Sequence, residues 1–290
     1  MAYFLLVVSI VLCVLKSASY NYYAKEENPG VHGVFRFNFV SYAFAAVLAL
    51  ILALTSGKMT CTWQTAVCAL GYAVVVLSLQ SIMIFAMKKG SMATTSLLNL
   101  YGMVIPAIAG PIFWEEPFGV LQGVGLGVMI ISVFFLSGVS TKGEKFSIWP
   151  VILGIACFVF SGLAGLMEKI HQSTPGASER SVFLAIAYSM MLVISFFVFM
   201  ATRKNNQQPI KNKNRFWIVG VLVGLITGAY GSVNLYLAGK LDSLIYYPVA
   251  NGGALLLTVL LSVVVFREKP SVKKMIGFVL GLASVLLLCF

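Results

Sequence analysis

Residues 113–138 read FWEEPFGVLQGVGLGVMIISVFFLSG, and residues 266–288 read FREKPSVKKMIGFVLGLASVLLL. Each stretch is a short acidic link, an amphipathic start and a glycine-containing apolar run. That one chain carries this passage twice decides the architecture. Under a shift of 152 residues Glu116 falls on Glu268, Gly125 on Gly277, Asn99 on Asn251, Ser91 on Ser243 and Lys88 on Lys240. Earlier in each copy the shift is 144, and Cys13 falls on Cys157, Ser17 on Ser161, Lys25 on Lys169 and Arg36 on Arg180. The polar connection TRKNNQQPIKNKNR at 202–215 absorbs the difference. The chain reads as two copies, residues 1–140 and 148–290.

Composition says what the copies are made of. Of 290 residues, 60% are hydrophobic and 10% charged, and the mean hydropathy is +0.95. A soluble domain carries roughly 25% charged residues, so this chain lacks the polar surface to coat one. Charge-free stretches run 37–57, 59–87, 90–114, 117–141, 146–167, 181–202, 216–239, 243–266 and 275–290. A spanning helix needs roughly 20 apolar residues. With the N-terminal run, interrupted by Lys16, the spacing predicts helices at 2–24, 33–55, 63–87, 91–113, 118–138, 148–169, 181–201, 216–238, 243–266 and 272–289. No Lys or Arg precedes the first run, as a signal peptide requires, so it is read as a retained helix. Little is left for an appended soluble domain. The fold class is an all-α membrane protein of ten transmembrane helices. Five spans per copy is an odd number, so the copies insert upside down relative to each other. Such inverted repeats characterise transporters whose halves rock around a site near the midplane.

The repeat ends quoted above, and the repeat start SASYNYYAKEENPGVHGVFRFNFV at 17–40 with Lys25 and Arg36, resemble the ten-helix EamA-like branch of the drug/metabolite transporter superfamily. The resemblance covers nearly the whole chain. It implies a central cavity lined by the first four helices of each half, with the fifth and tenth peripheral, and secondary transport of small molecules.

The net charge of +11 does not point to nucleic acid, because the basic residues are scattered among short loops. They report topology. Fifteen of the 20 Lys and Arg, including Arg203, Lys211 and Arg267, fall in the loops on one side, and four, Lys58, Lys169, Arg180 and Lys240, on the other. The positive-inside rule puts the richer loops in the cytoplasm and both termini outside. The expected location is multi-pass, in the bacterial cytoplasmic membrane.

The twentieth basic residue, Lys16, is the only charge deep inside a predicted helix. Placing a Lys at the bilayer centre costs about 2.5–3.5 kcal/mol on insertion scales, so it should face a wet cavity or an anion; a lysine that snorkels to the surface is the alternative. Tyr20 shares its face. The small multidrug relatives carry an acidic residue in this helix, and the Lys departs from that pattern. Asn99 and Asn251 occupy equivalent repeat positions, and Tyr247 lies on the stripe of Asn251. Tyr230 and Asn234, Gln80, Asn38 and Tyr42 add polar groups to other predicted helices. Each is a candidate for substrate contact or for interhelical hydrogen bonding. Tyr22, Tyr23 and Tyr246, near helix ends, are read as interface residues.

Enzyme chemistry finds no constellation. His32 and His171 are placed in loops, Asp242 is the only Asp, and no HExxH or GxxxxGK[ST] occurs. The five cysteines show no CxxC spacing. No metal or cofactor is expected. The expected function is alternating-access transport of a small polar metabolite, an anion or zwitterion such as an amino acid, with no obvious buried carboxylate for proton coupling. The expected partners are that substrate and the lipid bilayer; a coupling ion and a homodimer are compatible with the sequence. A lipid-linked sugar flippase and a non-transporting scaffold are the rival readings.

Overall fold

Lipid offers backbone groups no hydrogen-bond partner, so a chain this apolar must satisfy them within helices. The computed structural model describes residues 2–56, 60–89, 92–116, 118–136, 149–203, 210–264 and 272–288, and every regular element among them is helical. The first half contains α1 (Ala2–Glu27), α2 (Val31–Thr55), α3 (Trp63–Lys89), α4 (Met92–Tyr101), α5 (Val104–Trp114) and α6 (Val120–Leu136). The second contains α7 (Trp149–Gln172), a 3-10 turn at Pro175–Ser178, α8 (Arg180–Ala201), α9 (Lys213–Ala238), α10 (Ser243–Val264) and α11 (Val272–Leu288). Six segments, α1, α2, α3, residues Ile152–Gln172 of α7, α8 and α9, are long and apolar enough to cross a membrane. Shorter apolar stretches lie in α4–α5, α6, α10 and α11. Large apolar side chains such as Phe4, Ile51, Trp63, Phe197 and Trp217 point outward, as lipid-facing helices require.

The packing is unchanged when the halves are exchanged. α2 packs on its counterpart α8, and α6 on its counterpart α11; the α1–α9 contact is matched by α3–α7, and α2–α9 by α3–α8. Close approach is built into the sequence at Gly224 of α9, where an added Cβ would lie 2.3 Å from the Ser41 carbonyl oxygen of α2. The spaced glycines of α9 therefore serve internal packing.

The helix expected over 91–113 is divided. Pro106 has no N–H to give to the Gly102 carbonyl, and its ring crowds that carbonyl. The Gly102 oxygen is taken instead by the Ile105 N–H at 3.0 Å, while Gly102 N and Met103 N bond back to Asn99 O and Leu100 O at 3.2 and 3.3 Å. The resulting elbow rests against α7: a Cβ on Gly102 would lie 2.6 Å from both Phe158 O and Gly162 N.

The two histidines are helical, not in loops, and both are buried. His32, in α2, stacks on Phe199 and meets Thr202 Oγ1 at 3.3 Å. His171 stacks on Phe183 and meets Thr65 Oγ1 at 3.3 Å. Each has a packing role away from the site below.

Candidate functional site

A cavity of about 80 Å³ lies between α1, α3, the α4–α5 elbow, α7, α9 and α10. The helices α2 and α8 do not line it, which corrects the implied lining; α6 and α11 are peripheral, as the resemblance implied.

Seven of the ten candidate residues are on its wall. Lys16 enters from α1 and Gln80 from α3; Asn99 sits on the elbow; Tyr230 and Asn234 come from α9, and Tyr247 and Asn251 from α10. The other three stand behind the wall. Tyr20 and Tyr42 both donate to Gln80 Oε1, at 2.6 and 2.5 Å, and Asn38 donates to Ser81 Oγ at 3.0 Å. The two repeat-related asparagines do meet at one cavity. Asn251 donates to the Tyr247 carbonyl at 3.0 Å, while Asn99 Oδ1 is buried with no partner among the described residues.

The Lys16 ammonium lies 4.3 Å from the centre of the Tyr230 ring. That contact draws on the negative face of the ring but does not replace a counter-charge. A negative group stands in the same cavity. Glu168 of α7 is 4% exposed and accepts from Tyr72 Oη at 3.0 Å and from Asn234 Nδ2 at 2.9 Å. Its donors are themselves fixed. Asn234 Oδ1 accepts from the Tyr246 hydroxyl and from Ser9 Oγ, which turns the amide nitrogen toward the carboxylate. Lys16 makes no direct ion pair with Glu168. Among the described residues the cavity wall therefore holds one positive and one negative side chain, the first against the Tyr230 ring and the second against Tyr72 and Asn234.

Glu168 corrects two expectations: Lys16, itself half-buried, is not the only charge deep inside a helix, and a buried carboxylate exists. The predicted helix ended at 169, which put Glu168 at a surface; α7 continues to Gln172. The available signal was the stripe Ser161, Gly165 and Glu168, four and then three residues apart and all on the cavity wall. Tyr72 was missed as well, and Tyr246, read as an interface residue, is 1% exposed and lines the cavity.

A second carboxylate joins the two halves outside the cavity wall. Glu116 pairs with Lys169 at 2.6 Å and accepts from the backbone N–H and hydroxyl of Ser243 at 3.0 and 3.2 Å. A carboxylate at the first N–H of α10 satisfies an orphan donor and suits the helix dipole. The contact ties the α5–α6 link, α7 and α10 together.

The sequence model of the EamA-like transporter family matches residues 4–138 and matches again over 148–290. The chain belongs to the EamA-like transporter family. It is therefore a multi-pass membrane protein and a transporter of small molecules, with one family unit in each half. A solved structure titled only "Crystal structure of protein" superposes with a TM-score of 0.69, covering 99% of this chain and 95% of that one at 15% identity. That likeness speaks for the fold alone. No curated protein sequence matches the chain.

Proposed function

We propose that this EamA-like protein carries a small zwitterionic metabolite, an amino acid or close relative, through ten spans arranged as two inverted repeats. The observation that carries the reading is the pair Lys16 and Glu168, opposite charges on one cavity wall without direct contact. A charge inside the membrane is costly unless paired. A zwitterion brings both counter-charges at once, its carboxylate toward Lys16 and its ammonium toward Glu168, and the filled site gains no net charge. A simple anion would leave Glu168 repelling it, and a simple cation would meet Lys16. Alternating access follows from the repeats, whose halves meet at the cavity. In this reading the contact of Glu116 with Lys169 and Ser243, which joins the two halves, is a gate that opens for exchange. The basic loops, including 202–215, face the cytoplasm by the positive-inside rule.

Ligand-induced stabilisation of the purified protein tests the substrate class, since a ligand that binds the folded state raises the melting temperature with occupancy. The twenty common amino acids are screened, and each hit is compared with its amine and acid counterparts; for alanine these are ethylamine and propionate. Stabilisation by the amino acid and by neither counterpart is expected. Equal stabilisation by the acid would make the site an anion carrier, and by the amine a cation carrier.

A further inference from the structure

Gln80 is 2% exposed and on the cavity wall, and its carboxamide is held from behind by two tyrosines that are themselves fully buried. Tyr20 reaches it from α1 and Tyr42 from α2, at 2.6 and 2.5 Å. Separations this short belong to O–H···O bonds; N–H···O bonds run about 2.7–3.2 Å. The atom both hydroxyls touch is thus the carbonyl oxygen; turned over, the amide would have to fit two N–H···O bonds into separations shorter than such bonds take. Its Nε2 is left buried with no partner among the described residues. An unsatisfied buried donor costs free energy, and here three helices cooperate to keep one. Tyr20 stands about one helical turn beyond Lys16 on α1, and Lys16 and Gln80 line the same cavity.

We infer that Lys16 and Gln80 Nε2 form a carboxylate subsite, in which Tyr20 and Tyr42 are positioning residues that lock the Gln80 amide with its N–H groups facing the ligand. The inference rests on the zwitterion reading and goes beyond it: Lys16 supplies charge, and the locked amide supplies direction. Lysine alone is a rotatable point charge that does not distinguish among anionic shapes. A fixed N–H group beside it selects a planar acceptor whose second oxygen lies at hydrogen-bond distance. Tyr20 and Tyr42, fully buried and off the wall, thereby act on the ligand through Gln80.

The test measures affinity for an amino acid against its carboxamide, which keeps the ammonium and side chain and loses only the carboxylate; alanine and alaninamide are the first pair, and the other common amino acids follow. The full-length protein in lipid nanodiscs should prefer the acid by about tenfold or more, the scale of a hydrogen bond to a charged group. Gln80→Met should weaken acid binding roughly ten- to a hundredfold and leave the carboxamide unaffected. The double variant Tyr20→Phe/Tyr42→Phe should do the same, although neither hydroxyl touches the ligand; each single variant, with one donor left, should keep the preference. If the double variant does not fold, Gln80→Met decides alone. A preference preserved in Gln80→Met overturns the inference and leaves the three residues as packing. Selective loss of carboxamide binding also overturns it, because the amide oxygen would then face the ligand. If the unsubstituted protein binds none of the amino acids, the zwitterion reading falls first and this inference with it.

Discussion

Lys16 and Glu168 illustrate what one sequence discloses about single residues. Lys16 was legible because nothing else charged interrupts its apolar run. Glu168 was not, because helix ends are set by capping and packing, and three further helical residues moved it from a surface into the interior. Tyr20 and Tyr42 fall between these cases. Helical spacing gives the face of a side chain but not its partner, and their hydroxyls turn to Gln80. The Lys16 reading is open to direct trial. Lys16→Met, which keeps the length without the charge, should lower affinity for the bound amino acid by well over about tenfold, since losing one partner of a buried charge typically costs several kcal/mol. Lys16→Arg should bind partially, with charge kept and geometry changed. Both should fold. Titration calorimetry distinguishes the outcomes; a Lys16→Met variant with full affinity would move recognition to Asn99 and Asn251, which bind without net charge.

Among elements, the α4–α5 elbow carries the most local information. Pro106 and Gly102 are both plain in the sequence, but a proline within a long apolar run is compatible with a kinked or a divided helix. The choice was made by α7, whose backbone approaches at Gly102 too closely for a side chain. Gly102→Val should therefore cost about 1–3 kcal/mol through overpacking, measured as a lower melting temperature. Gly127→Ala, where an added Cβ meets nothing within 4 Å, should leave the temperature unchanged or slightly raised. An unchanged Gly102→Val protein would mean the elbow does not rest on α7. The links also carry structure. Glu179 accepts from the Thr62 backbone N–H at 2.9 Å and its hydroxyl at 3.0 Å, joining the α2–α3 link to the start of α8. The Thr62 backbone N–H first, then the Thr65 hydroxyl and that of Thr62, lower its pKa from the ordinary 4.5 to about 2. A depressed carboxylate pKa stabilises the fold above the unfolded value, and that stabilisation is lost as pH falls through the folded value. The gap in melting temperature between the unsubstituted protein and Glu179→Gln should hold above pH 4.5 and shrink toward pH 2. A gap independent of pH would remove Glu179 from that role.

For the molecule as a whole, the duplication was legible in two offsets and one long loop, and the family match divides the chain at nearly the same place. The packing pattern, unchanged on exchange of the halves, follows from the same duplication. The site was only half legible, because a cavity between halves takes its wall from helices far apart in sequence. The copies differ at the site, which makes it asymmetric: Lys16 has Phe160 as its repeat counterpart, and Glu168 has Ala24. Opposite charges thus come one from each half. Counterflow tests the zwitterion reading most directly. Proteoliposomes loaded with the twenty unlabelled amino acids should transiently accumulate at least one labelled amino acid above its equilibrium level when they contain the unsubstituted protein. Liposomes containing Lys16→Met should not, and labelled ethylamine or propionate should not accumulate with either. Accumulation of no amino acid, or equal accumulation with Lys16→Met, would contradict the account.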